Sequence, residues 1–195
     1  MRLQSFGRRV ALASALAALL LQACVPIVIG AAAGGTALVA TDRRTTGTQV
    51  DDEFIEDKIS LSLHERFKGD FHINVTSYNG IVLLTGEVPA DAAKADVAEL
   101  ARTMPKVRAL QNELTIGPVT DLGSRSNDTL ITSKVKARFV EANKFQINHV
   151  KVVTERGVVY LLGLVRRSEG EAAAEIASTT SGVQRVVKVF EYVAA

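Results

Sequence analysis

NGIVLLTGEV (residues 79–88) and RGVVYLLGLV (residues 156–165) nearly rhyme. Gly80 falls on Gly157, Val82 on Val159, Leu84 on Leu161, Gly86 on Gly163 and Val88 on Val165, always 77 positions apart. Asn79-Gly80 is a strong hairpin signal, because both positions of the tight turn need φ > 0. The preceding HINVTSY (residues 72–78) alternates, with Ile73, Val75 and Ser77 on one face, as in a half-buried strand.

Working outward, each hairpin is flanked by the same elements. Ile55, Ile59 and Leu63 recur every four residues, the stripe of an amphipathic helix; Ile131, Val135 and Phe139 repeat it. Asp51 and Asp52 stand where an N-cap belongs. After the first hairpin, residues 90–102 place Val97, Leu100 and Ala101 at helical spacing, and Pro105 stops that helix. After the second, Ser168 and Glu171 suggest a capping box ahead of Ala173, Ile176 and Ala177, with Ser181-Gly182 as the stop. Closing strands follow at VRALQNELTI and VQRVVKVF. The expectation is α+β: two tandem α-β-β-α-β domains at 51–117 and 127–195, joined by a polar segment at 118–126. A domain of ~60 residues is marginal alone, so the copies are expected to pack on each other or lean on the joint.

The chain opens with Arg2, Arg8 and Arg9, then an uncharged Ala/Leu/Val run ending in LLLQACVP. The run is too short for a span of ~20 residues, but fits a secretory h-region. Leu21, Ala23 and Cys24 sit as in a lipoprotein signal. Residues 1–23 are then a signal peptide, and Cys24 carries a diacylglycerol; an ordinary secretory signal with an incidental cysteine is the alternative. Cys24 is the sole cysteine, which excludes an internal disulfide and a cysteine metal site. The residue after it is Val25, not the Asp of inner-membrane retention, so the expected location is the periplasmic face of the outer membrane. Residues 24–50 read as the lipidated end and a flexible linker; VPIVIGAAAGGTALVA lying against the bilayer is a second reading.

This arrangement resembles the BON domain, a family of bacterial envelope proteins. DEFIEDKI and DTLITSKV at the helix starts, the two hairpins, and the closing VRALQNEL and VQRVVKVF carry the resemblance over residues 51–193. It implies periplasmic phospholipid binding and a role in envelope integrity, linked in a two-domain lipoprotein of the family to the division site. Lys188 stands where the first copy has the family's asparagine, Asn112, and is expected to loosen one turn.

Charge separates the copies. Residues 50–117 carry 7 Lys plus Arg against 12 Asp plus Glu; residues 118–195 carry 11 against 8. Between Glu53 and Leu63 there are three acids and one base, but between Thr129 and Phe139 three bases and no acid. On a helical wheel Leu130, Lys134 and Ala137 share a face away from the core, with Arg138 at its margin and Lys136 nearby. An exposed Leu among bases suits a helix resting on anionic phospholipid. The rival reading is a protein-interaction module whose acidic first domain meets a basic envelope or division protein. Nucleic acid is not the expected partner: a lipid-anchored periplasmic protein rarely meets it, and aromatic-basic interleaving is thin. None of His64, His72 and His149 stands in H-x-x-x-H or H-E-x-x-H spacing, and there is no G-x-S-x-G elbow. His72 and His149 align across the repeat, each before a strand. They are expected to be tolerated polar residues, giving no metal, no catalysis and no cofactor beyond the lipid on Cys24.

Overall fold

The computed structural model describes residues 42–67 and 71–194. The signal peptide, Cys24 and most of the linker lie outside the described residues. No helix among those described is long and apolar enough to cross a membrane.

The first copy runs α1 (Thr46–Arg66), β1 (His72–Tyr78), β2 (Ile81–Val88), α2 (Asp91–Thr103), β3 (Ala109–Asn112) and β4 (Thr115–Ile116). The second runs α3 (Leu122–Ala142), a 3₁₀ turn (Ile147–His149), β5 (Val150–Glu155), β6 (Val158–Val165), α4 (Arg167–Ser178) and β7 (Arg185–Tyr192). β1 and β2 pair antiparallel, as do β5 and β6; β3 and β7 add in parallel to β2 and β6. The α-β-β-α-β order thus occurs twice.

Both leading helices begin earlier than their apolar stripes suggest. Thr45 caps α1 by accepting from Thr48 N, and Asp121 caps α3 by accepting from Ser124 N. Residues 46–50 of the expected linker and 122–126 of the expected joint are therefore helical. Their first turns stand away from the core, so they need no apolar period. Asp51 and Asp52 lie inside α1 and do not cap it.

The hairpin turns have the expected backbone: φ is 53° and 73° at Asn79-Gly80, 51° and 74° at Arg156-Gly157. Gly86 and Gly163 meet a different demand. A Cβ on Gly86 would stand 1.9 Å from the His72 carbonyl oxygen, and one on Gly163 2.3 Å from that of His149. The strands approach each other there too closely for a side chain.

Other differences are local. α4 starts at Arg167, and its capping carboxylate is Glu169, which accepts from Arg166 N at 2.7 Å, rather than the Ser168/Glu171 pair. It stops at Ser178, before Ser181-Gly182. Lys188 loosens nothing. In the first copy Asn112 Oδ1 accepts from Leu114 N at 3.2 Å and interrupts the closing strand; with Lys188 in that register β7 continues for eight residues.

Each copy buries one face of its sheet under its two helices. Ile55, Ile59, Leu63, Val82, Leu84, Val97 and Leu114 form one core; Ile131, Val135, Phe139, Val159, Leu161 and Ile176 form the other. A third core joins the copies. Tyr78 and Leu83 from the back of the first sheet pack with Tyr160, Leu162 and Leu164 from the back of the second. The two copies together are layered helix, sheet, sheet, helix. β2 and β6 are buried on both faces, which explains their near-continuous apolar runs. Burial at this seam pushes the Tyr160 hydroxyl up to about 12.

The end of the linker is fastened across the seam. Arg43 donates to Glu169 at 2.6 and 2.9 Å and to the Leu164 carbonyl at 2.8 Å, in the second copy. Arg44 bonds Asp52 at 3.0 Å and lies over the Tyr78 ring at 3.9 Å, in the first. The Arg43 guanidinium holds the Glu169 carboxyl below its ordinary range.

Candidate functional site

The expected membrane face is on α3, and Asp128 sets how that helix is turned. Its carboxylate is buried and accepts from Arg156 N and Gly157 N, both at 2.8 Å, tying α3 to the hairpin turn. Asp52 does the same for α1, accepting from Asn79 N at 2.7 Å and Gly80 N at 2.8 Å, and from Ser77 Oγ at 2.6 Å. Sequence reasoning read Asp52 as a cap and missed this role. The available signal was the repeated D-x-x-I, which puts an acid on the core face one turn before the first buried Ile.

With Ile131, Val135 and Phe139 turned inward, Leu130, Lys134, Lys136 and Ala137 stand exposed. Val140 and Leu122 are exposed as well. At ~100° per residue they lie within about 80° of Leu130, so the apolar strip extends along the helix. Glu141 shares this face and tempers its charge. Lys134 and Lys136 flank the strip on opposite sides.

Arg138 is differently placed. Its guanidinium donates to the Ile176 carbonyl at 2.8 Å, Thr179 Oγ1 at 3.0 Å and Thr180 Oγ1 at 2.8 Å. It satisfies the C-terminal end of α4, where a cation is favoured, and is not a free base.

The matching face of α1 exposes Val50, Phe54 and Leu61, with Phe54 at the position of Leu130. Here Glu53 and Asp57 replace Thr129 and Ser133. Part of the charge split between the copies is used internally. Glu56 bonds Lys151 at 2.7 Å, and Arg185 lies 3.8 Å from Glu113, in each case acid from the first copy and base from the second. One pair runs the other way: Arg108 and Asn79 hold Glu191, whose carboxyl is lowered by the Arg108 hydrogen bonds.

The structure gives the two aligned histidines different surroundings. His149 is buried, and its carbonyl accepts from the Tyr78 hydroxyl at 3.5 Å. His72 lies at the seam, its Nδ1 3.2 Å from Glu87 Oε2 and 3.8 Å from Glu155 Oε1. Burial raises Glu155 above its ordinary range, opposed by a hydrogen bond from Asn74.

Comparison with known proteins agrees with the repeat. The chain is 43% identical over 178 residues to the outer membrane lipoprotein DolP of Haemophilus influenzae, covering 90% of this chain and 92% of that one. It is 37% identical to the 21 kDa hemolysin of Actinobacillus pleuropneumoniae, covering 78% and 79%. It is 28% identical to the osmotically-inducible protein Y of Escherichia coli, covering 76% of each chain. The similarity to DolP agrees with a lipid-anchored location at the periplasmic face of the outer membrane. The BON domain model matches residues 51–118 and 127–194, and the chain belongs to the BON-domain family.

Proposed function

We propose that this envelope protein, acylated at Cys24, binds anionic phospholipid through the exposed face of α3 and in that way supports envelope integrity, including at the division site. The observation that carries this reading is the exposed strip of Leu130, Ala137 and Val140 flanked by Lys134 and Lys136. Each base near an anionic surface contributes ~1 kcal/mol, and apolar burial ~25 cal/mol per Å². Two lysines and a few apolar side chains give weak binding on their own. The lipid anchor offsets this by holding the domains near the bilayer at high effective concentration. Arg138 supports the face by securing α4. The role we propose is binding.

The test is co-sedimentation of the non-acylated mature chain with vesicles of graded anionic content. Binding that rises with anionic fraction and falls with salt supports the reading; equal binding to neutral vesicles contradicts it.

A second reading has one specific observation in its favour. Val50, Phe54 and Leu61 on α1 are as exposed as the strip on α3 but lie among acids, which an anionic bilayer repels. That face suits a basic envelope or division protein. Crosslinking from position 54 to a basic partner, lost on Phe54→Asp, would support it.

A further inference from the structure

The seam has one polar corner that neither the core nor the membrane face uses. His72 opens β1 and lies opposite Glu87 in the β1–β2 register; Glu155 closes β5 in the other copy. Glu87 is fully buried. Its Oε2 lies at hydrogen-bond distance from His72 Nδ1, 3.2 Å, and accepts from Thr120 N at 3.2 Å and Thr120 Oγ1 at 3.1 Å, while its Oε1 accepts no hydrogen bond. Arg156 Nη1 stands 3.9 Å from Oε1, on a side chain 50% exposed. Glu155 is also buried, its Oε2 held by Asn74 Nδ2 at 2.8 Å. One ligand atom from each of His72, Glu87 and Glu155 can be chosen so that all lie within 4.8 Å of one another. His72 and Glu155 also line a surface cavity of about 460 Å³, walled by α3.

We propose that His72, Glu87 and Glu155 form a divalent-cation site suited to Zn²⁺, with an open position facing that cavity. The spacing fits. Bonds of ~2.0–2.2 Å in a tetrahedron put neighbouring ligand atoms ~3.4 Å apart, and His72 Nδ1 stands 3.2 and 3.8 Å from the two carboxylates. One imidazole and two carboxylates suit a borderline cation; Ca²⁺ prefers oxygen alone. Two buried carboxylates converge here on one imidazole; buried negative charge is costly unless it is paired, and a divalent cation would pair it. Asn74 already holds the outer oxygen of Glu155, as second-shell groups do in metal sites, and Thr120 fixes Glu87 Oε2 in place. Arg156 is exposed enough to swing into solvent as the ion enters. The first copy supplies two ligands and the second supplies one, so the ion would fasten the copies together. This site does not depend on the lipid reading.

The test uses the mature chain stripped with chelator, with Zn²⁺ alone added in calorimetry and Co²⁺ as a spectroscopic stand-in. We expect one Zn²⁺ per chain, a higher melting temperature with zinc, and visible Co²⁺ bands of four-coordinate intensity. His72→Gln and Glu155→Gln should each weaken binding at least tenfold and remove the zinc-dependent rise; His64→Gln should change neither. Should His72→Gln fail to fold, the isosteric Glu155→Gln and Thr120→Val carry the test. Absence of saturable binding, or equal binding by wild type and Glu155→Gln, would overturn the proposal and leave the corner an ion-pair network only.

Discussion

Single side chains decide how α3 can meet a surface. Asp128 and Arg138 are both polar residues of that helix turned toward the protein, and both are occupied. Asp128→Ala would strip the carboxylate from two turn N–H groups, and charge-assisted hydrogen bonds contribute about 1.5–3 kcal/mol each at most. We expect a loss of about 2–4 kcal/mol, read from the urea midpoint. Arg138→Ala removes three guanidinium hydrogen bonds, to the Ile176 carbonyl and to the hydroxyls of Thr179 and Thr180, while those hydroxyls still donate to Ile176 O. It should cost about 1–2 kcal/mol, whereas Lys134→Ala should stay within ~0.5 kcal/mol. A pH effect sits at Glu191. Its carboxyl titrates below the ordinary range because Arg108 and Asn79 hold the charged form. That stabilisation is present above the usual carboxylate range and is lost as pH falls through the lowered value. Because Arg108 is largely exposed, the gap in stability between wild type and Glu191→Gln should be under about 1 kcal/mol at pH 7. It should close as the pH falls through that lowered value, in thermal melts taken from neutral pH into the acid range.

At the scale of elements, the sequence reveals what periodicity encodes and hides what polar contacts encode. The stripes Ile55/Ile59/Leu63 and Ile131/Val135/Phe139, the two hairpin turns and the element order were all legible, because each leaves a regular spacing. The first turns of α1 and α3 were not, because polar residues on a solvent-facing turn carry no apolar period; only the caps Thr45 and Asp121 mark them. The strip on α3 was half legible: Leu130, Lys134 and Ala137 follow from the wheel, but the commitment of Arg138 to α4 is a contact between distant elements. The seam cluster left no motif at all, since its members sit at positions 72, 87 and 155. Where the sequence repeats a glycine with no turn to explain it, the structure supplies the reason. Gly86→Ala would drive a Cβ against the His72 carbonyl at φ +112°. We expect a loss on the order of 3 kcal/mol, from strain at a backbone conformation reserved for glycine and from the clash; circular dichroism melts would measure it.

For the whole molecule, the second copy gives the first a sheet to lie on. Each sheet alone would expose an apolar back, and each copy alone is near the size where one core is barely enough. Packing Tyr78 and Leu83 against Tyr160, Leu162 and Leu164 makes one cooperative body. Unfolding should follow a single transition, and Leu162→Ala should cost about 2–5 kcal/mol. Sharing one seam still leaves each copy a free leading helix. The exposed face of α1 is apolar and acidic; that of α3 is apolar and basic. Paired charge reversals, read as vesicle binding, test that difference. The measurement is binding of the non-acylated mature chain to anionic vesicles for wild type, Lys134→Glu with Lys136→Glu, and Lys58→Glu. The pair changes local charge by four units without touching the core, and an attraction of ~1 kcal/mol per base becomes a repulsion. The α3 pair should abolish binding, and Lys58→Glu should leave it nearly unchanged. Raising salt should weaken wild-type binding, because exposed charges are screened over ~10 Å at 0.1 M. Equal loss from the α1 and α3 changes, or wild-type binding indifferent to salt, would rule out α3 as the lipid-binding face.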